Sequence, residues 1–318
     1  MKFWSDQNEI PEDWPASVVT IGVFDGVHLG HRELMRVTRE IALQQGLLSV
    51  VLTIWPNPAE VIKRAVPPKR LTNLEFRAEL IESVGVDALA VLNFDEDVAH
   101  LSPEKFVRQV LVDSLHAAHV VVGANFRFGR KALGDVNELE RLGKRFGFEV
   151  TVIDLIDSND RKREIPTSST YIRELIEEGD VTSAAKYLAR PHRVEGPVVA
   201  GDARGREMGF PTANIDYEEL AAIPNDGVYV GRIIVDPHGP GREIHPAAIS
   251  VGTNPTFDGE ERRIEAFAFD DAELDLYGKH CAIDFVERLR DQEKYNTVEA
   301  LTAQVELDVQ RSREILGM

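Results

Sequence analysis

The sequence predicts two units, an α/β domain built on a parallel sheet followed by a mainly β domain closed by a helix. Three observations carry this expectation. Through about residue 155, apolar β-branched runs alternate with helix-like segments, the pattern of a sheet with helices on both faces. After about residue 190 the texture changes to short strands punctuated by glycine and proline, which suits an antiparallel barrel or sandwich. A chain of 318 residues that is 43% hydrophobic is also long and apolar enough to bury a core in each unit.

Taken in order, strands are expected at 18–23, 48–54, 88–92, 120–122 and 150–153, interleaved with helices at 31–45, 74–84, 103–115 and 136–146. Val120, Val121 and Val122 form an unbroken apolar run, as a strand buried on both faces does. Residues 157–164 are charged and read as a loop. Residues 168–178 then read as a helix opened by Ser or Thr caps and stopped near Gly179. Farther on, strands are expected at 196–200, 227–235, 247–251, 263–269 and 279–289. Residues 297–316 close the chain as an amphipathic helix with Leu301, Val305, Val309 and Ile315 on one face. The break falls between Lys186 and Val194, giving domains 1–186 and 187–318.

Composition removes several classes. No run of about eighteen apolar residues occurs, and the first fifteen residues are polar and broken by Pro11 and Pro15, so neither a membrane span nor a signal peptide fits and a cytoplasmic enzyme is the default. A single cysteine, Cys281, forbids an intramolecular disulfide and any multi-cysteine metal site. A formal net charge of −18 argues against nucleic acid or a membrane surface as partner, since both call for a broad basic field. Nucleotides remain open, because a small polyanion needs only a helix N-terminus, a few cations and a metal. The sequence leaves a homo-oligomer open.

The most informative segment is Gly22-Val23-Phe24-Asp25-Gly26-Val27-His28-Leu29-Gly30-His31, between a strand and a helix. Glycines let backbone approach phosphates, the helix start carries partial positive charge, and His28 and His31 can donate to phosphate oxygens as charge develops. The plain alternative is a tight turn whose histidines cap the helix or face water. A second segment, Thr167-Ser168-Ser169-Thr170-Tyr171-Ile172-Arg173, offers hydroxyls and a guanidinium at another helix start, where an N-cap is the everyday reading. A third, Gly123-Ala124-Asn125-Phe126-Arg127-Phe128-Gly129, ends a strand at the sheet edge where open α/β folds bind ligands.

In the second half, residues 201–214 read Gly-Asp-Ala-Arg-Gly-Arg-Glu-Met-Gly-Phe-Pro-Thr-Ala-Asn. Gly205, Arg206 and Gly209 can wrap phosphates, while Thr212 and Asn214, two apart and so on one side of an extended segment, can offer oxygens to Mg2+. A surface loop before a proline turn is the alternative. Glu265 sits inside an otherwise apolar strand; buried, its charge is costly unless paired or used, and it can act as a general base. A glutamate on the solvent face of a barrel is the competing reading.

Together, Gly-x-Phe-Asp-Gly-x-His-x-Gly-His, Val-Val-Gly-x-Asn-Phe-x-Phe-Gly and Ser-Ser-Thr-x-x-Arg resemble the adenylyltransferase half of the prokaryotic bifunctional riboflavin kinase/FAD synthetases. Gly-Phe-Pro-Thr-Ala-Asn, Asn-Pro-Thr-Phe, the embedded glutamate and Asp-Leu-Tyr-Gly resemble their kinase module, in the family's domain order. The resemblance implies a Rossmann-like nucleotidyltransferase domain and a small closed β-barrel. It also implies ATP as co-substrate, Mg2+, and the substrates and products riboflavin, FMN, FAD, ADP and pyrophosphate. Gly22, Phe24, Asp25, His28, Gly30, His31, Ser169, Thr170 and Arg173 then handle the ATP of the first site, with Asn125 near its flavin. Thr212, Asn214, Gly205, Arg206 and Gly209 hold metal and phosphates at the second, with Glu265 as base and Asn254 at the flavin. Two positions depart from the family pattern: Asn57 stands where many relatives have histidine, and Phe267 where many have histidine after Glu-x. Trp55, beside the first, reads as packing or flavin stacking. A kinase with a degenerate first half, or a flavin sensor without turnover, are the rival readings.

Overall fold

Val18, Val19, Val50, Val51, Val120 and Val121 are wholly shielded from solvent, and alternate members feed two different apolar cores. That is what a parallel sheet covered on both faces requires. The computed structural model describes residues 1–62, 66–154, 168–200, 210–253, 262–269 and 274–318; the expected loop at 157–164 lies outside them. The chain forms two compact units, one of Met1–Pro68 with Asn73–Ser168, the other of Lys69–Thr72 with Ser169–Met318.

In the first unit the strands are β1 (Lys2–Trp4), β2 (Ser17–Gly22), β3 (Leu48–Trp55), β4 (Ala88–Asn93), β5 (Ala117–Gly123) and β6 (Glu149–Ile153). They form one six-stranded sheet in the order β1-β4-β3-β2-β5-β6, parallel throughout. From β2 the chain moves outward through β3 and β4, then returns to lay β5 and β6 on the other side. The winding direction therefore reverses between β2 and β5, the kind of crevice in which open α/β sheets take ligands. The helices are α1 (Leu29–Gln45), α2 (Pro58–Ile62), α3 (Leu74–Glu82), α4 (Glu96–His100), α5 (Pro103–Phe106) and α6 (Val136–Phe146). The helix expected over 103–115 is α-helical only in its first turn and widens to a π-helix over Val107–Ser114. Strand β1 comes from the polar N-terminal stretch and was not expected; Trp4 anchors it by packing edge-on to Trp14, with ring centroids 4.6 Å apart.

In the second unit a helical pair, α7 (Ser169–Glu177) and α8 (Val181–Leu188), precedes the strands. Ile172, Leu175 and Ile176 of α7 and Ala184 and Leu188 of α8 bury against Leu71 and Ala222. Strands β7 (His192–Val199), β8 (Ala213–Ile215), β9 (Gly227–Val235), β10 (Glu243–Gly252), β11 (Arg263–Ala268) and β12 (His280–Arg290) close a barrel in the order β10-β11-β8-β7-β12-β9. The barrel-or-sandwich choice is thus decided for the barrel, and all its pairings are antiparallel. The closing helix α9 (Val298–Leu316) is capped by Thr297, whose side chain accepts from the Ala300 N–H. Its most buried positions are not the apolar ones but Asp308 and Ser312, which lie within the stripe of Leu301, Val305, Val309 and Ile315. Asp308 takes hydrogen bonds from Arg290 Nε at 3.0 Å and Nη2 at 2.7 Å, so a charge pair joins the half-buried apolar stripe in holding this helix.

Candidate active sites

Strand β2 ends at Gly22, and a Cβ there would stand 3.0 Å from the Phe24 ring, so glycine is what lets that ring fold back over the strand end. The turn that follows is strained. Gly26 has φ +81°, and two side-chain-bearing residues, Phe24 (φ 51°) and Val27 (φ 42°), also sit in the left-handed region, at about 1–3 kcal/mol each. Burial holds them there, Phe24 and Val27 both lying in the core beneath α1. The strain is spent on placing His28.

His28 is the N-cap of α1, and its Nδ1 accepts from the His31 N–H at 3.3 Å. That bond keeps the ring proton on Nε2, which makes Nε2 a donor. The His31 ring stacks on His28 with centroids 3.5 Å apart, and Phe24 meets His31 edge-on at 5.2 Å. Gly30 lies in the first turn of α1, which contains no acidic side chain, so the positive end of the helix is open to an anion.

Asp25 is buried next to this turn, where a carboxylate would repel phosphate. Its charge is matched by Arg77 of α3, 3.5 Å away and equally buried. Arg77 also donates to the Val23 carbonyl at 2.7 Å, a carbonyl that accepts from the Thr53 hydroxyl at 3.1 Å as well. It lies 5.0 Å over the Trp55 ring. Sequence reasoning missed Arg77, which looks like one more charged residue of an amphipathic helix. Asn57 is engaged locally, its Oδ1 accepting from the Ala59 N–H at 3.1 Å at the start of α2.

Asn125 is exposed just beyond β5, in a turn closed by Phe126 N–H to Gly123 carbonyl at 3.0 Å, with Phe126 and Phe128 stacked 5.5 Å apart. Because β5 pairs with β2, Gly22 and Gly123 are neighbouring strand ends at the reversal point. The first and third motifs therefore meet at one edge. Ser169, Thr170 and Arg173 begin α7 in the second unit, where Arg173 Nε donates to the Lys69 carbonyl at 2.5 Å.

On β11, Ile264, Ala266 and Ala268 face the barrel core, so Glu265 faces outward with Arg263 and Phe267. The carboxylate is thus half-buried on the outer face and not immersed in the core, as a buried-charge reading would have it. Register puts Glu265 directly opposite Asn214 on β8 and Ser250 on β10. The Thr212 hydroxyl donates to Glu265 Oε2 at 3.4 Å. Asn214 Oδ1 is buried and has no hydrogen-bond partner among the described residues, an arrangement that costs about 1–3 kcal/mol unless something binds there. A hydroxyl, an amide oxygen and a carboxylate form the hard-oxygen set that suits Mg2+. Phe267 packs edge-on to Phe210 at 5.3 Å, as a packing residue does. Gly205, Arg206, Gly209 and Asn254 lie outside the described residues.

Comparison with known proteins identifies both halves of the chain. Residues 10–170 match the FAD synthetase family and residues 188–316 the riboflavin kinase family. The chain is 38% identical over 314 residues to the bifunctional riboflavin kinase/FMN adenylyltransferase of Listeria monocytogenes, covering 98% of this chain and 93% of that one. Its counterpart in Bacillus subtilis is 34% identical over 95% of this chain and 93% of its own. Among solved structures, one described as a macrolide-efflux protein from Streptococcus pneumoniae matches with TM-score 0.83 and 32% identity over 98% of each chain. Among the described residues here, no helix is long and apolar enough to cross a membrane. With a FAD synthetase half, a riboflavin kinase half and relatives of this kind along nearly its whole length, the chain belongs to the family of bifunctional riboflavin kinase/FMN adenylyltransferases.

Proposed function

We propose that the barrel phosphorylates riboflavin with ATP to give FMN and ADP, and that the α/β unit adenylylates FMN with a second ATP to give FAD and pyrophosphate. The observation that carries this reading is the outward row of Thr212, Asn214 and Glu265. It offers a phosphoryl-transfer site on a chain whose other half holds a stacked histidine pair at the start of a helix. Within the reading, residues 187–318 serve the kinase and residues 1–186 the adenylyltransferase.

At the kinase site the 5'-hydroxyl of riboflavin is a weak nucleophile. Glu265 accepts its proton as the oxygen attacks the γ-phosphorus, and ADP departs. Thr212 and Asn214 hold Mg2+ through their oxygens; the bound ion supplies charge neutralisation at the phosphates. At the other site the nucleophile is the FMN phosphate, already an anion, so no base is needed when it attacks the α-phosphorus. His28 Nε2–H, His31 and the first-turn amides of α1 stabilise the departing pyrophosphate, and Asn125 orients the flavin. Ser169, Thr170 and Arg173 are assigned to ATP phosphates on the strength of their motif alone. Incubation with riboflavin, ATP and Mg2+, followed by chromatography of the flavins over time, tests the reading. FMN followed by FAD is expected; FMN alone overturns the adenylyltransferase half, and binding without conversion overturns both.

A further inference from the structure

A second group of ligating side chains stands on the barrel's outer face, away from the kinase row. Glu195 lies on β7 and His280 begins β12; register sets Ala282 opposite Glu195 and Pro197 opposite His280, so the two are diagonal neighbours. Their strand neighbours Val194, Val198, Cys281 and Ile283 point into the core, which leaves Glu195 and His280 on the outside. His238 arrives from the turn after β9. That turn is held down by the Asp236 N–H on the His280 carbonyl at 3.1 Å and by the Gly239 N–H on the Asp236 carbonyl at 3.1 Å.

The three side chains converge closely. His238 Nε2 is 2.8 Å and His280 Nε2 3.7 Å from Glu195 Oε2, and the three ligand atoms all lie within 4.8 Å of one another. The Glu195 side chain is 5% exposed and that of His238 11%, while His280, at 47%, opens the group to solvent. A buried carboxylate needs positive charge nearby. Arg193 Nη1 stands 3.7 Å from Glu195, but the same guanidinium is bound to Asp284 through Nε at 2.7 Å and Nη2 at 3.1 Å. One guanidinium thus faces two carboxylates.

We propose that Glu195, His238 and His280 bind a divalent transition-metal ion of the Zn2+ class. Ligands about 2.0–2.1 Å from a tetrahedral zinc stand about 3.3 Å from each other. The observed 2.8 and 3.7 Å from Glu195 to the two imidazoles bracket that separation, and the third pair stands within 4.8 Å. Imidazole nitrogens favour Zn2+, Co2+ or Ni2+ over Mg2+, which prefers an all-oxygen shell. Three protein ligands leave a fourth position for water on the side of His280. The bound ion ties together β7, β12 and the β9–β10 turn. It is separate from the kinase row, because the β7 residue opposite Asn214 is Val199 and not Glu195.

The test uses the full-length, tag-free protein, stripped with chelator and titrated with Co2+ and then Zn2+. One equivalent of Co2+ should bind with the visible absorption of a tetrahedral nitrogen/oxygen site, be displaced by one equivalent of Zn2+, and resist a large excess of Mg2+. Loss of an outer-shell partner weakens metal sites about 10–100-fold, so His238→Ala and His280→Ala, each removing a ligand, should weaken Zn2+ binding by more than that. The double variant His28→Ala/His31→Ala should keep full affinity, which separates this site from the other histidine pair. His280 is half-exposed, and an unchanged apo melting temperature of His280→Ala shows that its fold is intact. Absence of saturable Co2+ and Zn2+ uptake overturns the proposal, as does uptake that both single variants leave intact; the cluster is then a carboxylate–imidazole ion pair only.

Discussion

Arg77 and Asp25 face each other behind the turn that ends at His28, their charged groups 3.5 Å apart and their side chains 2% and 5% exposed. Through its further bond to the Val23 carbonyl, one arginine of α3 fixes both the charge and the backbone of the turn. Removing it takes a buried cation away from a buried carboxylate. Arg77→Met is expected to destabilise the first unit by about 3–5 kcal/mol and to lower adenylylation of FMN, leaving the kinase nearly untouched. Adding Asp25→Asn should restore part of the stability. Denaturant unfolding of the two variants, with separate assays of each activity, measures this.

The double variant His28→Ala/His31→Ala should lose about a hundredfold or more in FAD formation from supplied FMN, as when preorganised donors to developing charge are removed. Conversion of riboflavin to FMN should persist, since neither ring belongs to the barrel. Unchanged adenylylation would return both histidines to helix capping alone.

Glu265→Gln keeps the shape and hydrogen-bonding capacity of the side chain while deleting its basicity. Kinase turnover should fall by roughly a hundred- to ten-thousand-fold, with the loose transition state of phosphoryl transfer favouring the lower end. KM for riboflavin and ATP should change little. Wild-type turnover with weak riboflavin binding would make Glu265 a substrate holder.

His119 of β5 is buried, with Thr151 Oγ1 2.8 Å from Nε2 and Gln45 Nε2 3.2 Å from Nδ1. Burial draws its pKa below the ordinary histidine value, partly offset by Glu149. The unfolded chain, titrating near 6.5, therefore binds the proton more readily than the fold does. The contribution of His119 to stability is whole above that pH and drains away as pH falls towards the depressed native value. Unfolding free energy of the wild type should decline from pH 7 to pH 5 more steeply than that of His119→Gln, by denaturant titration at each pH.

A fragment beginning at residue 187 lacks Ile172, Leu175, Ile176 and Ala184, which bury against Leu188 and Ala222 in the second unit. A fragment of residues 169–318 keeps them. The longer fragment should melt higher and phosphorylate riboflavin at a rate nearer that of the whole chain. Equal melting temperatures would show that α7 and α8 add nothing to the barrel.

What the sequence made legible follows from how each feature is encoded. The central strands are unbroken apolar runs, and the His28–His31 turn is a contiguous string, so both could be read along the chain. Strand β8 is three residues long and shares its letters with the Thr212–Asn214 motif, so its ladder with β11 was hidden. Asp308 sat unnoticed because its partner Arg290 lies eighteen positions earlier, on a strand. Glu195, His238 and His280 come from β7, a turn and β12, and only barrel closure brings them together. Arg77 betrays nothing by spacing; its importance lies in a carbonyl and a carboxylate more than fifty residues upstream.

The alternation along β11 has a consequence for how such a chain can diverge. Ile264, Ala266 and Ala268 hold the barrel shut, while Arg263, Glu265 and Phe267 look outward past Asn214 and Phe210. Core-facing and outward-facing side chains are thus interleaved on six consecutive residues, three to each side of the barrel wall. Substitutions at the outward positions leave the barrel wall intact, and substitutions at the inward ones leave Glu265, the proposed base, facing outward.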